Sequence, residues 1–446
     1  MQLEEHPTVK WFREQGNEAD QQAQPSELDA EWLKQICLDA GADDVGFVEI
    51  HREALADQAD DLRVLLPSVR TVVGMGFRVN RQSIRSVDHS GANLEYRSSF
   101  VQANGTARTI VSTLEKSGIR AFNPPAGFPY DVDKWPGKMW MTNDKVITEE
   151  AGLGRMGWNR LVLHPRFGGC MVVGTILLDR ELSSYDAPVD YNPCIECKLC
   201  VSICPVGAVK ADGHFDFLSC YTHNYREKIS GFVAWVENVV KSKSMPEYRK
   251  RVSDVETVSM WQNLSVGPQT RCDRCMAVCP AGEEAIGEFL TDRKGYTKRT
   301  VKQLRDKDEV VYVLPGSDAE AYVTEGFPNK RLARVSNGLY VNSVKAFMDN
   351  LAIMFQRDRS EGLAATYHFT FTGEESDKRT VIIRDKTIEV LEDHVGRADL
   401  RVTADSQTWV NFLAKEKNLL VALLTRKIRI KGSPKLMASF AKCFPL

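Results

Sequence analysis

Residues 194–205 read Cys-Ile-Glu-Cys-Lys-Leu-Cys-Val-Ser-Ile-Cys-Pro, and residues 272–280 read Cys-Asp-Arg-Cys-Met-Ala-Val-Cys-Pro. The first run spaces its cysteines as C-x2-C-x2-C-x3-C-P. Two-residue spacers in a tight loop point three sulfurs at one iron–sulfur cubane, and the fourth thiolate reaches across to a second. The proline keeps the following helix from starting early. The second run is a partial copy that lacks one cysteine, and Cys220 is available to complete it. The crossing rule gives one [4Fe–4S] cluster to Cys194, Cys197, Cys200 and Cys279. The other cluster takes Cys204, Cys220, Cys272 and Cys275. The competing reading is a pair of zinc knuckles, which lack a three-residue spacer ending in Cys-Pro.

The rest of the composition supports this reading. Eight of eleven cysteines fall within residues 194–279. The N-terminal stretch is polar and acidic, without an export signal. No segment approaches the roughly 20 apolar residues of a membrane span. The chain is therefore expected to be cytoplasmic, where clustered cysteines bind metal or do redox chemistry. Cys37, Cys170 and Cys443 sit beside apolar residues and read as small buried hydrophobes. A formal net charge of −2 with both signs interspersed gives no sign of nucleic acid or an anionic membrane as partner.

The 446 residues allow two or three domains. Residues 1–27 read as a flexible lead-in. Residues 28–190 read as mixed α/β, with a helix over 27–40 capped by Ser26 and stopped by Gly41. Strands are expected near 41–50, 71–77 and 171–179, and a second helix over 103–117. Residues 191–295 hold the cluster module, with a helical insertion over 221–271. Residues 296–337 read as a linker, and 338–446 as a separate α+β unit.

The block AGLGRMGWNRLVLHPRFGGCMVVGTILLD (151–179), followed by eight cysteines, resembles the cobalamin-dependent reductases: reductive dehalogenases and epoxyqueuosine reductase. The resemblance covers roughly residues 28–295. It implies a nitroreductase-like cobalamin-binding domain beside a bacterial-ferredoxin-type module, with one cluster reducing the corrinoid's cobalt. The cofactor supplies the hard chemistry and the protein positions it. Corrinoid contacts would come from Gly152, Gly154, Gly157, Asn159, His164, Gly168 and Gly169, because glycine lets backbone approach a large planar ligand. An ordinary packing role for these glycines is the alternative. His164 reads as a hydrogen-bonding or packing residue in preference to a cobalt ligand.

Epoxyqueuosine reductases carry an acid about thirteen residues before AGLG, an offset that lands here on Lys138. Dehalogenases use a tyrosine supported by a basic or amide side chain. Tyr96 is the candidate donor, with Arg97 or Lys138 as partner, and Tyr130 competes with it. A nearby cation would lower the phenol pKa and could hold a departing halide.

Residues 338–446, with VIIRDKTIEVLEDHVGRADLRVTADSQTWVNFLA at their centre, resemble a sterol-carrier-protein-type lipid-binding domain. Phe347, Leu351, Phe371, Trp409, Leu420, Leu424 and Phe440 are candidate lining of its apolar tunnel. The unit could instead serve docking or homodimerisation.

Together these features predict an oxidoreductase most like a reductive dehalogenase, acting on a hydrophobic aromatic or lipid-like small molecule. No nucleic acid is expected, and the electron donor would be a low-potential ferredoxin or flavodoxin. The alternatives are reductive opening of an epoxide or cleavage of an ether or thioether on the same cofactor, and a non-catalytic electron-transfer protein with a lipid-binding domain.

Overall fold

The computed structural model describes residues 3–14, 27–132, 140–267, 270–414 and 416–445. Strands β1 (Asp44–Glu49), β2 (Thr71–Arg78), β3 (Ala121–Phe122) and β4 (Met171–Leu178) form one antiparallel sheet in the order β1–β2–β4–β3. β2 and β4 lie inside it and are buried almost throughout, so they are apolar runs with no polar alternation. Helices α1 (Ala30–Asp39), α2 (Ala56–Leu65), α3 (His89–Lys116) and α4 (Asp144–Glu150) cover both faces. α1 and α3 share a core with Val73, Met75, Phe77 and Ile176. α2 and α4 share a second core with Val48, Val72 and Leu177.

Two helix starts differ from expectation. α1 begins at Ala30, where the Asp29 side chain accepts the Trp32 amide at 2.7 Å. Glu27 and Leu28 instead pair in parallel with Glu181 and Leu182; Ser26 lies outside the described residues. α3 is 28 residues long and begins behind the Asp88 cap, fourteen residues before Ala103. Its first half is polar and glycine-containing, so apolar periodicity alone does not announce it.

The cluster module contains α5 (Leu199–Ile203), α6 (Phe217–Asn224), α7 (Ser230–Lys241), α8 (Asp254–Val266) and α9 (Arg274–Ala277). Residues 296–337, expected as a linker, are folded into this module. β5 (Val310–Val313) pairs in parallel with β6 (Arg331–Arg334) across the helix α10 (Asp318–Gly326). Val311, Val313, Val323 and Phe327 join Cys200, Cys204 and Val206 in one apolar cluster. The Gly and Pro residues that suggested a linker serve the turns around this small unit.

The C-terminal unit contains α11 (Val344–Met354), β7 (Ala365–Thr372), β8 (Asp377–Arg384), β9 (Thr387–Glu392), β10 (Leu400–Asp405), α12 (Ser406–Leu413), β11 (Ile428–Gly432) and α13 (Pro434–Lys442). The strand order is β9–β8–β7–β10–β11, with only β7 and β10 parallel. Phe347, Leu351, Phe371, Trp409 and Phe440 pack into one core. Leu420 and Leu424 do not line it: both are exposed, at 67% and 84%. The unit is seated on the cluster module. Arg357 Nη1 meets Asp212 Oδ2 at 2.9 Å, and Arg226 Nη1 donates to the Ser336 carbonyl at 3.5 Å. A Cβ at Gly338 (φ +64°) would lie 2.0 Å from the Ser230 carbonyl oxygen.

α4 sits unusually close to the sheet. Gly46 and Gly74 are cross-strand partners on β1 and β2. A Cβ at Gly46 would lie 1.9 Å from the Ala151 carbonyl oxygen, and one at Gly74 would lie 3.0 Å from the Ala151 Cβ. The bare backbone at this pair lets the end of α4 press onto the strands. Gly46→Ala is therefore expected to destabilise the chain by about 2–4 kcal/mol, read as a lower denaturant midpoint.

Candidate active site

The cysteine loops are shaped by short local bonds. Asn192 Oδ1 accepts the Cys194 amide at 2.9 Å, and Glu196 and Lys198 take left-handed backbone angles of +50° and +60°. Cys194, Cys197, Cys200 and Cys279 line one pocket, closed by Trp158, Leu163 and Pro280. The second set gathers from four directions. Burial, then the Cys204 and Cys272 neighbours, raises the Cys220 thiol; burial, then Cys272, Cys220 and Cys204, raises that of Cys275. The two groups are those the crossing rule assigns. Among the described residues, no three His, Cys, Asp or Glu side chains converge on a single-ion site.

Bonds from the first module hold the loops in place. Arg81 Nη1 donates to the Cys279 carbonyl at 3.2 Å, Arg85 Nε to the Ala277 carbonyl at 3.2 Å, and Asn159 Nδ2 to the Cys275 carbonyl at 3.2 Å. Asn224 Oδ1 accepts the Cys272 amide at 2.9 Å.

Against the second set lies a recess formed by Tyr96, Tyr225 and Lys145, with Tyr130 beside them. Burial pushes the Tyr96 phenol up to about 12, with Cys275 and Asp273 adding to the shift. Tyr225 is raised by burial and by Tyr96 and Cys220. Tyr130 is raised by burial and by Tyr225, Tyr221 and Tyr96. Tyr96, Tyr130 and Tyr225 are only half-buried by exposure. Lys145 behaves the same way. It is exposed, yet burial pulls its ammonium down, and Cys275 and Cys220 are among its charged neighbours. Lys145 Nζ donates to the Arg160 carbonyl at 2.7 Å. Phe128 and Trp140 extend the wall, with ring centroids 4.3 and 4.8 Å from Tyr130.

The structure sorts the expected site residues. Tyr96 and Tyr130 share the recess. Arg97 does not serve Tyr96: it is exposed, and its Nε lies 3.1 Å from a Cβ built on Gly267. Adjacent helix residues point apart, and burial, then Cys275 and Asp273, raises the Tyr96 phenol. Lys138 lies outside the described residues.

The expected glycine cradle is explained by protein packing instead. A Cβ would meet the Ala187 carbonyl oxygen at Gly152 (2.7 Å) and that of Leu163 at Gly154 (2.3 Å). It would meet the Leu163 side chain at Gly157 (2.6 Å) and Gly169 (3.3 Å), and the Ala281 carbonyl oxygen at Gly168 (1.9 Å). Asn159 holds the Cys275 loop, as given above. His164 is buried and fully used. Its Nδ1 accepts the Arg166 and Phe167 amides at 3.0 and 3.3 Å, and its Nε2 faces Asp44 Oδ2 at 2.9 Å. It stacks on Phe167 at 4.2 Å, which leaves no nitrogen for a metal.

Three recess groups escaped the sequence reading. Lys145 and Asp144 open α4, and only their nearness to AGLG could have drawn notice. Asp144 Oδ1 accepts the Thr175 hydroxyl at 2.7 Å. Burial pushes its carboxyl up to about 6 against the Thr175 and Thr142 hydrogen bonds. Lys228 lies between α6 and α7, in a stretch that carried no motif. Cys37, Cys170 and Cys443 are buried, as expected.

Comparison with known proteins follows this layout. Residues 187–210 match the 4Fe-4S binding domain family, and residues 353–445 match the SCP-2 sterol transfer family. Epoxyqueuosine reductase of Salmonella typhimurium is 26% identical over 245 residues, 54% of each chain. That of Aliivibrio fischeri is 31% identical over 195 residues, 43% of this chain and 44% of the relative. The chain thus spans about half the length of the curated relatives it matches. Among solved structures, an epoxyqueuosine reductase with a tRNA-Tyr epoxyqueuosine-modified stem loop is 18% identical with a TM-score of 0.31, over 45% of this chain and 60% of that one. A reductive dehalogenase described with a B12-dependent mechanism is 16% identical with a TM-score of 0.38, over 62% and 36%.

The expectations of [4Fe–4S] clusters, a corrinoid and oxidoreductase chemistry agree with these relatives; the emphasis on dehalogenation does not. The expectation of a hydrophobic small-molecule substrate and no nucleic acid is overturned, because the relatives are epoxyqueuosine reductases and one is solved with a tRNA stem loop. Whole-chain charge misled here, since a net of −2 says nothing of how charge is distributed over the surface. Among the described residues no helix is long and apolar enough to cross a membrane.

Two outcomes follow from this geometry. Cys279→Ser and Cys275→Ser should each lose about half of the bound iron and acid-labile sulfide, and the double variant all of it. The Asp144 carboxyl, at about 6 when folded and about 3.9 when unfolded, keeps a proton that the unfolded chain releases. Its stabilising share is complete below about pH 4 and is lost as pH rises through about 6. Asp144→Asn, which still accepts from both threonines, should flatten that decline in denaturant midpoints measured from pH 4 to 7.

Proposed function

We propose that this chain is a corrinoid- and iron–sulfur-dependent reductase that deoxygenates an epoxide on a tRNA-borne nucleoside, as its relatives' name describes. The observation that carries this reading is the placement of the recess: Tyr96 and Tyr225 stand against Cys275 and Cys220. A cluster held by that set would stand beside aromatic rings, phenol hydroxyls and the Lys145 ammonium. The other cluster lies nearer the surface, beside exposed Ile195, where a low-potential donor protein can reach it.

The residues present fit a corrinoid. Tyr96, Tyr225 and Lys145 would supply hydroxyl and ammonium donors suited to the amide-bearing rim of such a ring, and Cys220 and Cys275, beside them, would hold the cluster that reduces it. When bound, the corrinoid supplies the low-potential two-electron chemistry on the substrate. The protein excludes water, orients the substrate and handles protons. Tyr130, Phe128 and Trp140 offer flat apolar faces for a planar base. Overall, two electrons and two protons turn the epoxide into an alkene: both C–O bonds break, a C=C bond forms, and the oxygen leaves as water.

The dehalogenase alternative would need a cation at Tyr96; among the described residues Arg97 does not supply it, and burial, then Cys275 and Asp273, raises that phenol. Anaerobic reconstitution with iron, sulfide and cobalamin, followed by a low-potential donor and an epoxyqueuosine-bearing stem loop, tests the proposal. The product should be lighter by one oxygen. Intact clusters without bound corrinoid, or with corrinoid but no conversion, would rule it out.

A further inference from the structure

Lys228 is the one buried ammonium of the recess, and among the described residues nothing pairs with it. Its residue is 6% exposed. Among the described residues, no carboxylate lies within ion-pair range of Nζ, and no acceptor takes a hydrogen bond from it. Nζ instead lies over two rings of the recess wall, 4.9 Å from the Phe128 centroid and 4.6 Å from that of Tyr225. The neighbouring acid, Glu227, is turned away. Its Oε1 is paired with Arg271 and accepts the Ser259 hydroxyl at 3.1 Å.

A buried, unpaired charge is costly, and aromatic faces offset only part of that cost. The surrounding backbone is held to keep it there. Ile229, a β-branched residue, takes φ +53°, a strained angle that persists only where its surroundings impose it. Ser230 Oγ donates to Tyr221 Oη at 2.8 Å, and the Ser230 carbonyl lies under Gly338. Burial also lowers the Lys228 ammonium to about 7, against the opposing pull of Glu227. A group near that value can both give and regain a proton at neutral pH. Among the described residues, the titratable group shown against it is the Tyr225 phenol, which like those of Tyr221 and Tyr130 near it is raised by burial and therefore neutral.

We propose that Lys228 is the acid of the recess, giving its proton to the oxygen that leaves carbon when the epoxide opens. This rests on the reductase reading above. As a C–O bond breaks, the oxygen keeps that bond's electron pair and takes the proton, an O–H bond forming as the N–H bond breaks. Lys228 is left as a neutral amine, and solvent returns its proton. The second proton of the released water also comes from solvent. The two electrons come from an external low-potential ferredoxin or flavodoxin through the clusters.

The test uses the full chain reconstituted with both clusters and cobalamin. Competitive acetylation from pH 5 to 10, read by peptide mass spectrometry, should titrate Lys228 near 7, well below the ~10.4 of an ordinary solvated lysine. The stem-loop substrate should protect Lys228 from labelling. Turnover should fall as pH rises through about 7. Lys228→Met should be slower by at least about a hundredfold and lose that limb, with iron content and circular dichroism unchanged. Lys228→Arg, which keeps the charge but holds its proton, should be slow as well. Titration of Lys228 with the bulk lysines, or a Lys228→Met chain that keeps the parent's rate and pH limb, would overturn the assignment and leave the reductase standing. A parent chain that converts no epoxide would remove the reductase reading, and the donor role with it.

Discussion

Eight thiols drawn from an 86-residue stretch must close around two centres, and this requirement organises the chain. Cys204 and Cys279 each leave their own motif to complete the other's set, so neither loop can be built alone. The segment between Cys220 and Cys272 must return to where it began. The earlier sheet domain then fastens the result, through Arg81 and Arg85 on loop carbonyls and through Asn159 on the Cys275 carbonyl. Gly168 lies so close to Ala281 that any side chain there would collide with it. The cysteine loops and the sheet domain are thus registered to each other by side-chain bonds to loop carbonyls and by one close backbone contact.

That registration creates the recess. α3 brings Tyr96, the loop before residue 131 brings Phe128 and Tyr130, α4 brings Asp144 and Lys145, and the α6–α7 turn brings Tyr225 and Lys228. None of these segments forms a site by itself. The glycine pair beneath α4 sets how near that helix comes, and so where Asp144 and Lys145 stand relative to Cys275. Packing in the sheet is in this way translated into the position of groups that can move protons.

How much of this was legible in the sequence depended on how local each signal was. Cysteine spacing is local, so the iron–sulfur module was readable from it, with Cys220 expected to complete the second run. The α/β layering was readable from apolar runs such as 171–179. The polar start of α3 and the Glu27–Leu28 pairing were not, because they depend on partners far along the chain. The glycines of 152–169 were visible but misassigned, since a residue without a Cβ can admit a ligand or a neighbouring backbone equally well, and here it admits backbone. Lys228 was illegible for a different reason. An ordinary lysine between two helices becomes unusual only when the fold closes over it and withholds a counter-ion. The substrate class was misjudged because one summed charge cannot describe a surface.

The contact between Gly338 and Ser230 has an architectural consequence. The peptide that leads into the C-terminal unit lies directly on the turn that carries Ile229, and the Arg226 guanidinium reaches Ser336 beside it. The C-terminal unit is therefore no trailing appendage on a hinge. It acts as a keystone, and cutting the chain before residue 336 would leave the strained turn without the weight that holds it closed.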